Sequence, residues 1–240
     1  MKIVISDLDS SITDLNNTDL INSIRKFISN GNKFIIATSK AINYVADILS
    51  ISDLISDYYI CNDGGAIFDK YFNILYRKDL KQNVVRPIMN TLEDDDNILE
   101  VFIDTSHGFV KDSKSIANGI VARFIDEAKA IITLNSIVHK YPLVHGHISD
   151  NMIIINDIDV NKENALNFLE NDYRLDTSNV YVLGHNMIDL NLMEKYNGYV
   201  LKDSSEDLKK VSKGEVNNLN ELIEMINKDD ERDEIDTIYE

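Results

Sequence analysis

The stretch Lys2-Ile3-Val4-Ile5-Ser6-Asp7-Leu8-Asp9-Ser10-Ser11 decides the fold. Its first half is a short β-branched run, which predicts a buried strand feeding a loop. The run stops at an Asp-rich turn. Next in the chain, Leu20, Ile21, Ile24, Phe27 and Ile28 recur at helical spacing, and Asn30-Gly31 supplies the stop. Lys33 to Ala37 (KFIIA) predicts a second strand, and Ile42, Val45, Ala46 and Leu49 predict a second helix. Strand, helix, strand, helix implies a parallel sheet, because parallel neighbours need a crossover element between them.

The segment Asp57 to Asp69 (DYYICNDGGAIFD) places turn chemistry at Asn62-Asp63-Gly64-Gly65 between two apolar runs and predicts a strand and hairpin. From about residue 79 to 150 the periodicity is mixed. A helix is expected on Val84, Val85, Ile88 and Met89, an acidic turn at Glu93 to Asp96, and a strand at Leu99 to Ile103. A second helix is expected on Val121, Phe124, Ile125, Ala128 and Ile132. The first pattern then resumes, with strands at Met152 to Ile155 and Val180 to Leu183 flanking a helix on Ala165, Leu166, Phe168 and Leu169. Tyr199 to Leu201 and Leu219 to Ile226 supply a last strand and helix. The expected organisation is a core of residues 1–78 and 159–228, an inserted unit at 79–158, and a solvated acidic tail at 229–240.

Composition narrows the function. Hydrophobic residues make up 44% of the 240, enough for a packed globular core. The net charge of −17 argues against sequence-independent binding to nucleic acid or anionic membranes, both of which need Lys and Arg to neutralise phosphates. Cys61 is the only cysteine, so no internal disulfide can form. No charged start followed by an apolar stretch resembles a signal peptide, and no apolar run approaches the roughly 20 residues that span a bilayer. The expectation is a cytoplasmic protein.

In an open parallel sheet, ligands bind at the carboxyl edge of the strands. Strand one ends in Asp7-Leu8-Asp9-Ser10-Ser11 and strand two in Thr38-Ser39-Lys40. A later helix opens with Asn161-Lys162, and Val180 to Leu183 runs into Gly184-His185-Asn186-Met187-Ile188-Asp189. Two carboxylates one residue apart share a crevice at a cost that a proton or a cation must offset, which suggests a divalent metal. Each residue also has a plain structural role open to it. Asp and Asn are common turn and cap residues, Thr38 could cap the next helix, and His185 could be an ordinary hydrogen-bonded histidine. Lys162 is more telling, since a lysine in the first turn opposes the helix dipole unless an anion is present. His145 and His147 alternate as residues of a strand do.

In this order the four places resemble the four motifs of the haloacid-dehalogenase-like (HAD) superfamily, over nearly the whole chain. Asp7-Leu8-Asp9-Ser10-Ser11 resembles the first motif with Ser for Thr, Thr38 the second, Lys162 the third, and Gly184 with Asp189 the fourth. The insertion, preceded by CNDGGAIFD, is similar to the cap of the Cof-like and sucrose-phosphate-phosphatase-like branch. The resemblance implies an α/β fold, with a Rossmann-like parallel sheet core and an inserted α/β cap. It implies a phosphatase in which Asp7 is the nucleophile and Asp9 the acid/base, with Ser11, Thr38, Ser39 and Lys162 on the phosphoryl group. Mg2+, or Mn2+ or another divalent ion in its place, would sit with Asp7, Asp9, Asp189 and His185. The partner implied is a small phosphorylated metabolite, with specificity set by cap loops such as Asp104 to His107. The chain departs from the pattern at His185, where the family carries an acid, and at Ile188, where it carries Asn. Those departures keep open a HAD-fold binding or regulatory protein of impaired activity, and the resemblance of the cap to those of sugar phosphomutases keeps open a sugar phosphomutase.

Overall fold

The computed structural model describes residues 1–8, 17–52, 54–112 and 114–228; the acidic tail at 229–240 lies outside them. Among the described residues, eight strands form the main sheet. These are β1 (Ile3–Ser6), β2 (Lys33–Ala37), β3 (Tyr58–Cys61), β4 (Ala66–Asp69), β5 (Ile74–Arg77), β11 (Val180–Gly184), β12 (Asn197–Leu201) and β13 (Gly214–Val216). Their order is β13-β12-β11-β1-β2-β3-β4-β5. Pairings from β13 through β3 are parallel, and β4 and β5 extend the sheet antiparallel.

The parallel part is covered on both faces, which explains why its strands read as continuous apolar runs. Val4, Phe34 and Ile36 pack on one side with Leu20, Ile24 and Phe27 of the helix Thr18–Ser29. Ile3, Ile5 and Ile35 face the other side, against Ala165, Leu166 and Leu169 of the helix Lys162–Tyr173. Asn17 starts the first helix by accepting from the N–H groups of Asp19 and Leu20, and Gly31, at φ +83°, follows its end.

The chain leaves β1 toward β2 on one side and returns as β11 on the other. This reversal opens a crevice at the carboxyl ends of β1, β2 and β11.

A second sheet lies wholly between the fifth and eleventh strands. It contains β6 (Ile98–Thr105), β7 (Gly108–Val110), β8 (Gly119–Phe124), β9 (Val144–Ser149) and β10 (Met152–Asp157), in the order β7-β6-β8-β10-β9 and antiparallel throughout. The helices Gln82–Glu93 and Glu127–Lys140 bury Val85, Ile88, Met89, Leu92, Ala130, Leu134 and Ile137 in a cluster of its own with Ile103, Ile120, Phe124 and Ile155.

Two sequence expectations are corrected here. Val121 and Phe124 belong to a strand, and the helix begins only after Asp126, whose side chain accepts from the N–H of Lys129. The apparent helical stripe ran across this boundary, and its members Ile125 and Ile132 are exposed. Met152 to Ile155 is a strand, but of the second sheet and not of the resumed parallel one. Among the described residues, no helix is long and apolar enough to cross a membrane.

Candidate active site at the crevice

Asp7 is the first residue past β1, and there the buried Lys162 ammonium donates to its Oδ1 at 3.3 Å. The same ammonium donates to Asp189 Oδ1 at 2.7 Å. All three side chains are buried. Burial alone would push the Lys162 pKa down, but the attraction of Asp189, Asp7 and Asp63 outweighs it and raises it well above the usual lysine range.

Local structure explains each position. Asn161 caps the helix by accepting from the N–H of Asn164 at 2.7 Å, which makes Lys162 the first helical residue. Asp189 Oδ2 accepts from the backbone N–H groups of His185 (3.1 Å) and Asn186 (3.2 Å), so the loop after β11 holds the carboxylate at two points while Lys162 holds the third. A Cβ at Gly184 would lie 2.2 Å from Met193 Sδ, so a larger residue there would have to displace the Met193 side chain.

Thr38 is fully buried at the end of β2. Its Oγ1 accepts from the Lys40 N–H at 3.1 Å, which leaves the hydroxyl proton to donate. Ser39 beside it is half-buried. The imidazole Nδ1 of His185 lies 3.2 Å from Ser204 Oγ, so the ring is engaged with the loop after β12 while its backbone serves Asp189. Asp9 and Ser11 lie outside the described residues. The structure thus brings Asp7, Lys162 and Asp189 into contact and sets Thr38 and His185 at the same sheet edge.

Sequence reasoning put Asp63 in a turn and Asp104 in a cap loop but missed that the two are a second group of buried acids. Asp63 follows β3 at φ 57° and ψ 21°, a left-handed conformation that Asn and Asp tolerate better than other side-chain-bearing residues. Burial raises its pKa to about 6, with Lys162 opposing and Asp189 and Asp7 adding to the rise. Asp104 near the end of β6 is pushed to about 7, again by burial first. The turn signal Asn62-Asp63-Gly64 was legible; that the turn faces inward was not. His145 and His147 share one face of β9, but Nε2 of His145 lies 2.8 Å from the Val160 carbonyl, an acceptor. Among the described residues, no group of three or more His, Cys, Asp or Glu is arranged to hold a metal. Asp7 and Asp189 nevertheless exceed Lys162 by one negative charge, and hard carboxylate oxygens are the donors that Mg2+ takes.

Residues 4–142 and 112–222 match the family model of the haloacid dehalogenase-like hydrolases. The chain belongs to this family. Its fold is similar to that of BT1666 from Bacteroides thetaiotaomicron, described among phosphatases of the HAD superfamily, at 15% identity and a TM-score of 0.79 over 95% of this chain and 94% of that one. The HAD subclass IIB sugar phosphatase BT4131 superposes at 12% identity and a TM-score of 0.76, covering 95% and 99%. A HAD/COF-like hydrolase from Plasmodium vivax gives 12% and 0.80, covering 95% and 96%. No curated protein matches the sequence. At these identities the likeness establishes the HAD core with its inserted cap, of the Cof-like kind.

Proposed function

We propose that the chain is a Mg2+-dependent phosphomonoesterase that acts on a small phosphorylated metabolite, a sugar phosphate, through an aspartyl-phosphate. The observation that carries this reading is the buried Asp7, Lys162 and Asp189 group at the point where the sheet reverses. In this reading the Asp7 carboxylate is the nucleophile and the Lys162 ammonium, 3.3 Å from it, neutralises the phosphate. The relatives described as phosphatases and as a sugar phosphatase support the substrate class.

Asp7 attacks phosphorus in line and forms the O–P bond as the ester oxygen departs. Asp9 protonates that oxygen and then takes a proton from the water that releases phosphate. The Lys162 ammonium and the Thr38 hydroxyl hold the equatorial phosphoryl oxygens, with Ser11 and Ser39 beside them. Asp7, Asp9, Asp189 and His185 would hold Mg2+, which would supply positive charge to offset that of the phosphoryl group. Residues 79–158 act as the cap over this edge.

A second reading, a HAD-fold protein that binds a phosphorylated metabolite without hydrolysing it, is favoured by the His185 ring being turned to Ser204. One assay separates the two. Purified protein with Mg2+ is expected to release phosphate from p-nitrophenyl phosphate or a sugar phosphate, and Asp7→Asn to abolish release with unchanged circular dichroism. Wild-type protein inert on a broad panel with several divalent metals would refute the enzymatic reading.

A further inference from the structure

Where cap and core meet, several buried acceptor atoms have no donor among the described residues. Among the described residues, neither carboxylate oxygen of Asp63 has a hydrogen-bond partner, and Oδ1 of Asn62 and Oδ1 of Asp104 have none either. All three residues are at least nine-tenths buried, at 1%, 1% and 3% exposure for Asn62, Asp63 and Asp104. A buried acceptor left without a donor costs about 1–3 kcal/mol, and more for a charged group, so such a cluster implies a donor that arrives from elsewhere.

The backbone that carries Asp63 is held on both sides. Its N–H donates to the Thr38 carbonyl at 3.1 Å, and the next residue, Gly64, is pressed against Asn161 so closely that a Cβ would lie 2.2 Å from the Asn161 carbonyl oxygen. Its neighbours on either side are thus the residues after β2 and the cap of the Lys162 helix, both part of the phosphoryl-binding edge.

From the cap, Nε2 of His147 reaches to 3.8 Å of Asp63 Oδ2. This is ion-pair range, yet burial first and Lys162 second push the His147 pKa down to about 4, so at pH 7 the imidazole is neutral and no ion pair forms. A gap of 3.8 Å is also too long for a direct hydrogen bond. With the ring proton drawn to Nε2 by the facing carboxylate, a hydroxyl between the two could donate to Asp63 and accept from His147. An ammonium could only donate.

We propose that Asp63, with His147 and Asp104 of the cap, forms the leaving-group subsite, which selects a neutral polyhydroxylated phosphomonoester by accepting its hydroxyl protons and repels leaving groups that carry a further negative charge. The proposal rests on the phosphatase reading and adds the residues that choose the substrate. Asn62 contributes the remaining acceptor, while its Nδ2 donates to the Thr105 carbonyl at 3.1 Å and ties the subsite to the cap.

The test compares kcat/KM for sorbitol 6-phosphate, phenyl phosphate and 3-phosphoglycerate in wild type, Asp63→Asn and His147→Gln. Wild type is expected to prefer sorbitol 6-phosphate over the other two by about tenfold or more, and each variant to lower the sorbitol-to-phenyl ratio about 10-fold to 100-fold, as loss of a hydrogen bond to a charged group would. Asn is at home in the left-handed conformation of Asp63, so that variant keeps its backbone. An unchanged ratio, whether through uniform loss or no loss, or a wild-type enzyme indifferent to hydroxyls, would overturn the subsite and show that the acceptors hold water only. Absence of turnover on every substrate is failure of the phosphatase reading instead. The same ratio is then read as calorimetric affinity for sorbitol 6-phosphate and phenyl phosphate, with the same two outcomes.

Discussion

Asp104 illustrates how one buried group can set the pH response of a site. Its carboxyl ionises near 3.8 in an unfolded chain but is held protonated to about 7 when folded, chiefly by burial and then by the charge of Asp63, against help from Asn62 and Lys40. The folded state therefore binds the proton more tightly, and stability falls as pH rises from about 4 to about 7. Asp104→Asn removes that penalty and keeps an oxygen for the Asn62 amide. The expected result is a melting temperature several degrees above wild type at pH 8 and close to wild type at pH 4, since 1 kcal/mol moves Tm by about 2–4 °C in a chain of this size. Equal changes at both pH values would show that the carboxylate carries no such cost. Asp7, Thr38, Lys162 and Asp189 were legible because each stands where a strand ends or a helix begins, and sheet topology alone brings such places together. The Asp104 to His107 loop and the Asp63 turn were legible as such, but the burial of the two acids was not, because an acid in a turn or late in a strand looks solvated until its facing surface is known.

At the scale of elements, the approach of the Asn62–Gly64 turn to the start of the helix Lys162–Tyr173 positions the cation. Gly64 has φ +102°, and a Cβ there would lie 2.2 Å from the Asn161 carbonyl oxygen and 2.5 Å from its carbon. Neither backbone can yield cheaply, because Asn161 caps the helix that begins with Lys162. Gly31 is the natural control: φ is also positive, +83°, but nothing lies within 4 Å of its Cβ position. Gly31→Ala should lose only the left-handed strain, about 1–2 kcal/mol. Gly64→Ala should lose that and a further 1–3 kcal/mol of overpacking, and should lower kcat/KM by displacing Lys162. Urea unfolding of both variants gives the comparison, and equal destabilisation would mean that the two segments do not press on each other. Elements with one uninterrupted pattern, such as β2 and the helix Thr18–Ser29, were legible from the sequence. The Val121 to Ile132 stretch was misread because a strand and a helix meet at Asp126, and residues on both sides happen to fall on one helical period.

At the scale of the molecule, apolar packing divides where polar contacts begin. The main sheet is packed by two clusters, one on each face, and the second sheet by a third with its own two helices. Between the sheets the contacts are mainly polar: Asn62 Nδ2 to the Thr105 carbonyl, the Ile42 N–H to the Ser106 carbonyl, Asn118 Nδ2 to the Gly65 and Lys78 carbonyls, and Lys78 with Asp157, beside one edge-on ring contact of Phe68 with His107. Net contributions of such contacts are small, about 0.5–1.5 kcal/mol for a hydrogen bond and less for an exposed ion pair. Residues 79–158 should therefore open as a unit at a lower free energy than the core. Phe124 is buried in the third cluster and Phe34 in the first. Replacing either by Ala costs about 3–5 kcal/mol, or roughly 10²-fold or more in an opening equilibrium. In native-state hydrogen exchange, Phe124→Ala is expected to cut the protection of β6, β8 and β10 by that factor while β1, β2 and β11 keep theirs. Phe34→Ala should weaken the core strands. A loss shared equally by both sheets in Phe124→Ala would mean that cap and core unfold together, and the division at residues 79–158 would have to be abandoned.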